Sequence, residues 1–491
     1  MLFRNTLAQS AQLLSGYLFA FLVAPILLSR VGLAAFGVWA VTGALATYAS
    51  LLDLGVGRSL SRFVAIYDTG GDRQRVRECL GLGLLMVTAI GLLALSLAVI
   101  LAPVVADLLH VSRVGDTRLL LVCSATILLC LAYVQALAAV PIGLRRMVPP
   151  SVAGMIGNVL NFGFSVGALV LSRRLTDYAV ANALAAILAV VPAVVSLVHV
   201  WGPTLPAFPS RALVSEVLGF SVKNQVVNLA DLVNFGTDKI ILAAVVGVRA
   251  AGTYELAARV ATALRSAAIL TVSAMIPTMA ARLTVEGRGI IAAHYRRYTE
   301  RSVAISFPLF ALGCLTAPYL LHAWLGRVPA DAPAILVAVA LAYALNLTTG
   351  VASTTALADG QAGMVATNAV LAAVLNVALT VALAPVFGLW GVLAGTFAAL
   401  TFASGLFIVR FHRRYGLPAR LFGQAVGSPL ALASALALPF VLVDLLVGGV
   451  TGRPAAVAAL AGTGGLYALA YWVLASRRGL LPQRLALQWP R

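Results

Sequence analysis

Fourteen apolar stretches, each at least as long as the roughly 20 residues that cross a bilayer as a helix, limit what this chain can fold into. They cover residues 7–28, 37–56, 81–106, 117–140, 151–172, 177–200, 216–247, 253–281, 302–323, 332–356, 364–385, 388–409, 424–446 and 454–475. A helix satisfies every backbone N–H and C=O within the segment, which hydrocarbon demands. The chain is therefore expected to be an all-α polytopic membrane protein of about 14 transmembrane helices. Of its 491 residues only 10% are charged, and mean hydropathy is +1.00, whereas soluble domains carry about 25% charged residues. The net charge of +18 would suit nucleic acid in a soluble chain. Here the basic residues fall in short clusters between apolar stretches, the positive-inside arrangement, and no nucleic-acid partner is expected.

An even number of spans puts both termini on one side. Most basic residues lie on that side, in clusters at Arg58–Arg77, Arg282–Arg301 and Arg410–Arg420, so N and C termini are expected to be cytoplasmic. The first stretch continues directly into the second, which reads as an uncleaved span. The connections 57–80 and 282–301 are basic and are expected to form amphipathic helices at the interface. No connection is long enough for a soluble catalytic domain, so an enzyme is not expected. Cys79, Cys123, Cys130 and Cys314 contain no CxxC pair and read as packing residues rather than metal ligands.

The stretch Ser221–Ser266 breaks the apolar pattern. It reads as the seventh and eighth spans joined by a short turn, yet holds Lys223, Asp231, Asp238, Lys239, Glu255, Arg259 and Arg265. Charges inside a bilayer are costly and face a bundle interior or a water-filled cavity. Lys223 and Lys239 are also the only two lysines in the chain. This hairpin is expected to line a central transport cavity. On a continuous seventh helix Asn224, Asn228, Asp231 and Asp238 share one stripe. Glu255, Arg259, Thr262 and Ser266 form a second on the eighth. At 1.5 Å rise per residue, Asp231 and Arg265 fall near the midplane, with Asp238 and Arg259 about 10 Å nearer the outside. The same residues can also be read as interhelical ion pairs, where desolvation offsets attraction. No GxxxxGK[ST] phosphate loop is present for ATP. That leaves an ion gradient, with Asp231, Asp238 and Glu255 as carriers of H⁺ or Na⁺, and no other cofactor. Asp53, close to Arg58 and Arg62, reads as a local salt bridge or a gating or ion-coupling residue.

An internal repeat is also visible. Val31-Gly32 to Gly37-Val-Trp39 matches Val246-Gly247 to Gly252-Thr-Tyr254 at an offset of 215, and the same offset takes Val159-Leu160-Asn161 onto Val374-Leu375-Asn376. An offset that spans six helices preserves orientation, which predicts parallel repeats with a site between them. The expected division is a six-helix lobe over 1–210, a second over 211–420, and two additional helices with a cytoplasmic tail over 421–491.

The run GLAAFGVWAVTGALATYASLLDLGVGRSLSRFVA over 32–65 resembles Wzx-type polysaccharide flippases. These belong to the multidrug/oligosaccharidyl-lipid/polysaccharide exporter superfamily, with the lipid II flippase and the MATE drug exporters. The similar features are Gly37-Val-Trp39, Leu52-Asp53-Leu54-Gly55-Val56-Gly57, Asp238-Lys239-Ile240-Ile241 leading to Gly252-Thr-Tyr254, and Pro277. The resemblance covers most of the chain to about residue 420. It implies two lobes around a cavity that faces each side in turn, with an oligosaccharide on polyprenyl pyrophosphate as cargo. Export would run from the cytoplasmic to the outer leaflet of a bacterial cytoplasmic membrane. A polysaccharide polymerase and glycosyltransferases would be its partners, and a monomer its working form. For such a cargo, Arg259 and Arg265 are expected to contact the pyrophosphate, because Arg matches phosphate geometry with paired donors. Lys223 and Lys239 would serve as point charges. Gln9, Gln12, Asn158, Asn161, Asn224, Asn228, Asn346 and Asn376 are candidate sugar contacts, able to donate and accept. Their plainer reading is interhelical hydrogen bonding. A multidrug exporter or a lipid II flippase on the same scaffold is the alternative. The former would favour an acidic, aromatic cavity, and the latter more arginines in the first two spans.

Overall fold

The helices carry large apolar side chains on their outward faces as well as between one another. Leu14, Leu92, Ile100 and Val195 are exposed, and Leu171 is exposed by 89%. Apolar surface on this scale fits lipid hydrocarbon rather than water. The computed structural model describes residues 2–50, 56–110, 114–273, 279, 283, 285–447 and 452–481. Every regular element among them is helical. Among the described residues nine helices are long and apolar enough to cross a bilayer, or ten if the bent pair Arg288–Leu315 and Ala317–Leu325 is one span. The chain is a multi-pass membrane protein.

It divides into two compact units, Met1–Leu232 with Leu242–Gly252, and Val233–Ile241 with Thr253–Arg491. The first unit contains α1 (Leu2–Val31), α2 (Leu33–Ser50), α3 (Val56–Thr69), α4 (Arg73–Ile100), α5 (Ala102–Leu108), α6 (Val114–Gly143), α7 (Val148–Leu171) and α8 (Leu175–Trp201). α6 and α7 pack along α8, α1 along α7, and α3 and α4 against α6. α3 is amphipathic, as the connection 57–80 suggested. Its Leu60, Phe63 and Val64 are buried in a cluster with Val76, Leu137 and Val140. Asp72 caps α4 by accepting from the Arg75 N–H, which satisfies a donor the helix itself cannot. Leu33 and Gly37 open α2, and Val248 and Gly252 open α11 (Val248–Ser273). A methyl group on Gly37 would overlap the Val248 carbonyl, and one on Gly252 would lie 2.7 Å from the Leu33 oxygen. The two backbones approach at a distance that only glycine permits.

The seventh stretch departs from the sequence reading. It is not one helix but two, α9 (Arg211–Gly236) and α10 (Asp238–Val245), broken at Thr237. The single stripe joining Asp231 to Asp238 is therefore corrected. Asp231 is exposed while Asp238 is buried, because the break restarts the helical phase between them.

The second unit continues with α12 (Ile291–Leu315), α13 (Ala317–Leu325), α14 (Ala332–Leu347), α15 (Gly350–Ala358), α16 (Ala362–Tyr415), α17 (Ala419–Val447) and α18 (Arg453–Arg477). α16 contains a non-helical residue at Gly388, with φ 57° and ψ −131°. Its two halves fold back on each other. Gly391 meets the backbone of Leu383, and Gly395 that of Thr380. The stretches 364–385 and 388–409 are thus the arms of one helical hairpin. α14 packs on α16, and α17 lies along α12.

At one end of this unit Arg288 donates from Nε and Nη2 to the two oxygens of Asp359, both at 3.0 Å, and Tyr415 donates to Asp359 Oδ2 at 2.8 Å. Burial alone would raise the Asp359 pKa, but these hydrogen bonds and the charges of Arg288 and Arg414 outweigh it and hold the carboxyl below the usual range. A depressed carboxylate stabilises the fold above its unfolded pKa, about 3.9, and that contribution is lost as pH falls through the folded value. Asp359→Asn is expected to lower stability at neutral pH by less than about 1 kcal/mol, since Arg288 is exposed. It should also flatten the loss of stability below about pH 4, read from melting curves across pH.

Candidate functional site

The break between α9 and α10 puts Asp238 on the first turn of a short helix, where the helix dipole favours a negative charge. Asp238 is 1% exposed. Tyr254 donates its hydroxyl to Asp238 Oδ2 at 2.7 Å. Thr396 Oγ1 lies 2.9 Å from the same oxygen and 3.2 Å from Asn376 Oδ1, and its one hydrogen can go to either. Thr380 donates to Asn376 Oδ1 at 2.9 Å, while Asn376 Nδ2 donates to the Asn234 carbonyl at 3.1 Å. The other Asp238 oxygen, Oδ1, has no hydrogen-bond partner among the described residues. A buried carboxylate with one unsatisfied oxygen is costly. A proton or a cation would relieve that cost. Asp238 is bonded to the hydroxyls of Tyr254 and Thr396, and through Thr396 to the amide oxygen of Asn376; such oxygen donors suit a hard cation such as Na⁺.

Beside this network stands a charged trio. Lys239 Nζ lies 2.8 Å from Glu255 Oε2, and Arg259 Nε donates to Glu255 Oε1 at 2.9 Å. The side chains are 19%, 14% and 30% exposed for Lys239, Glu255 and Arg259, so one carboxylate sits between two cations in a partly buried setting. One and a half turns further along α11, Arg265 lies over the Phe235 ring at 3.8 Å and within 5.7 Å of the Tyr343 ring centre. This cation–π slot fixes the guanidinium plane.

The remaining sequence candidates are distributed more widely. Asn158 donates to the Gln12 carbonyl and to Ser15 Oγ, and Asn161 to Asn182 Oδ1. Asn346 donates to Ser404 at 3.2 Å. Asn376, expected as a sugar contact, lies in the Asp238 network. It is 1% exposed, with Oδ1 accepting from Thr380 and lying 3.2 Å from Thr396 Oγ1. Gln9 is half-buried on α1, Asn228 is half-buried, and Asp231 is exposed. Asp53 and Pro277, and the side chains of Lys223 and Asn224, lie outside the described residues. Tyr254, Thr396, Asn234, Phe235 and Tyr343 were not singled out from the sequence as site residues. For Thr396 a signal exists: Gly391 and Gly395 precede it at a spacing of four, the mark of a close helix approach.

The family described as polysaccharide biosynthesis protein matches residues 2–282. No curated protein matches the chain. Among solved structures, the chain is similar to the lipid II flippase MurJ in an inward closed conformation, with a TM-score of 0.68 at 12% identity, covering 96% of this chain and 99% of that one. It is also similar to an inward-facing multidrug resistance MATE family transporter of the MOP superfamily, with a TM-score of 0.63 at 15% identity, covering 82% and 94%. A MOP superfamily transporter from Pyrococcus furiosus, whose binding pocket has reverse polarity, aligns with a TM-score of 0.57 at 16% identity over 84% and 95%. At these identities the likeness concerns the fold, which is that of membrane transporters.

Proposed function

The chain belongs to the polysaccharide biosynthesis protein family, and from that premise we propose that it moves a polyprenyl-pyrophosphate-linked oligosaccharide from the cytoplasmic to the outer leaflet of a bacterial cytoplasmic membrane. The observation that carries this reading is the cluster of Lys239, Arg259 and Arg265 on helices of a membrane protein, with Glu255 as its resident anion. Intramembrane cations mark a substrate path, and a diphosphate is the anionic part of such a cargo. Arg259 and Arg265 offer planar donor sets, and Lys239 a compact charge. Glu255 neutralises part of the site until the diphosphate takes its place. The termini face the cytoplasm in this reading, and a polymerase and glycosyltransferases act before and after the translocation step.

Directional transport requires an ion or ligand that binds the two facing states unequally. Asp238, with its unsatisfied Oδ1 and the oxygens of Asn376, Thr380 and Thr396, is the group proposed to take up H⁺ or Na⁺. A broken helix is where transporters of several folds place such sites.

The test is lipid-linked oligosaccharide analysis in a strain lacking the protein and complemented with wild type or Asp238→Asn. The deletion should accumulate lipid-linked oligosaccharide facing the cytoplasm. Asp238→Asn should restore export only in part and remove its dependence on the ion gradient. Normal surface glycan together with retention of small cationic compounds would replace this reading with drug export.

A further inference from the structure

The second unit holds an apolar cavity that protein side chains do not fill. α16 and α17 are consecutive, joined through Gly416, whose φ of 63° turns the chain. Yet α17 packs along α12 and α18 rather than back along α16. The wedge between them is a cavity of about 790 Å³, whose lining includes Phe307, Leu345, Ile408, Val409, Phe422 and Val426. The lining runs along α16 from Thr401 to Arg413 and along α17 from Ala419 to Leu430. At 1.5 Å per residue that is about 16–18 Å of helix. One leaflet of a hydrocarbon core about 30 Å thick is about 15 Å deep, so the cavity is one leaflet long.

Its two ends differ in chemistry. At the Gly416 end the lining includes Arg413, which is exposed and has no hydrogen bond or ion pair among the described residues. The exposed Arg410, Arg414 and Arg420 lie close to it in the chain. Phe307 and Leu430 line this cavity and also a second apolar cavity of about 560 Å³ with no charged residue in its lining.

We propose that the larger cavity binds an anionic glycerophospholipid of the surrounding bilayer, its phosphate on Arg413 and an acyl chain between α16 and α17. Unfilled apolar space forfeits dispersion contacts, and in a membrane the available filler is a lipid chain. Basic pockets between transmembrane helices at the cytoplasmic side attract anionic head groups. The one-leaflet length of the lining matches a single acyl chain, and the arginine at its Gly416 end matches a single phosphate.

The full-length protein, delipidated in detergent, would be titrated with phosphatidylglycerol, phosphatidylcholine of the same acyl chains, and polyprenyl phosphate. Bound lipid would be counted by native mass spectrometry. Phosphatidylglycerol is expected to bind at least tenfold tighter than phosphatidylcholine. Arg413→Gln should abolish that preference and leave chain binding in place. Gly405→Leu, at a lining position where an added Cβ meets no atom within 4 Å, should lower the binding of both phospholipids without lowering the melting temperature. Equal binding of the two phospholipids, or a preference that survives Arg413→Gln, would overturn the proposal. Displacement of phosphatidylglycerol by equimolar polyprenyl phosphate would also overturn it, by giving the cavity to a prenyl chain.

Discussion

Export of lipid-linked oligosaccharide is expected to fall roughly 10- to 150-fold when Lys239 or Arg259 is replaced by glutamine, because a hydrogen bond to a charged group contributes about 1.5–3 kcal/mol and each 1.4 kcal/mol is about tenfold. Both cations hold Glu255, at 2.8 and 2.9 Å, so either change also leaves that carboxylate with one partner fewer. A loss of export alone would therefore not separate an anion-binding site from an ion pair that merely holds α10 to α11. The double variant Lys239→Gln/Glu255→Gln separates them. If the trio is only structural, the double variant keeps the trio's net charge and leaves Arg259 Nε an amide oxygen at position 255 to donate to, so melting temperature and export recover together, in part. If the cations bind the diphosphate, melting recovers while export stays low. Glu255→Gln alone removes the resident anion and raises the charge of the site. It is expected to hold the cargo more tightly and to export it more slowly. Recovery of export in the double variant would defeat the assignment.

The sequence made the membrane-spanning stretches visible because apolar runs of bilayer length have few other destinations. The hairpin within α16 was legible for a related reason: Pro385 and Gly388 punctuate the long apolar run where the chain turns back. The charged residues of the seventh and eighth stretches were equally visible, and several of them do meet. Their arrangement was not. A stripe argument assumes one continuous helix, and the break at Thr237 voids it for Asp238. The network around Asp238 joins α10, α11 and both arms of α16, residues far apart in sequence, and Thr396 sits in an otherwise apolar run without a periodic partner. The polar residues of the first unit show the same limit. Asn161 and Ser165 both donate to Asn182 Oδ1, and Asn182 to the Tyr178 carbonyl, whereas composition alone left Asn161 free to face a sugar. At the 215 offset Asn161 and Ser165 correspond to Asn376 and Thr380, whereas Asp238 corresponds to Val23. The polar hydrogen-bonding positions recur and the charge does not, as expected of a repeat in which one copy alone carries the buried carboxylate.

The glycine contact tests that repeat most directly. Leu33 and Gly37 map onto Val248 and Gly252 at the same offset, and the contact is reciprocal: each glycine faces the carbonyl of the residue that its counterpart's helix begins with. A two-fold-related pair of elements has this property, since residue i meets j and j meets i. Gly37→Leu is expected to destabilise the purified protein by about 3 kcal/mol or more, because the obstacle is the Val248 backbone, which cannot rotate away as a side chain would. Gly252→Leu should do the same against Leu33. Gly43→Leu, one and a half turns further along α2, where an added Cβ meets nothing within 4 Å, should melt and export as wild type does. Equal losses at Gly37 and Gly252 with none at Gly43 are the pattern a symmetric contact requires. Wild-type melting of Gly37→Leu would mean that the two helix starts separate without cost, and the contact would then carry no argument for the repeat.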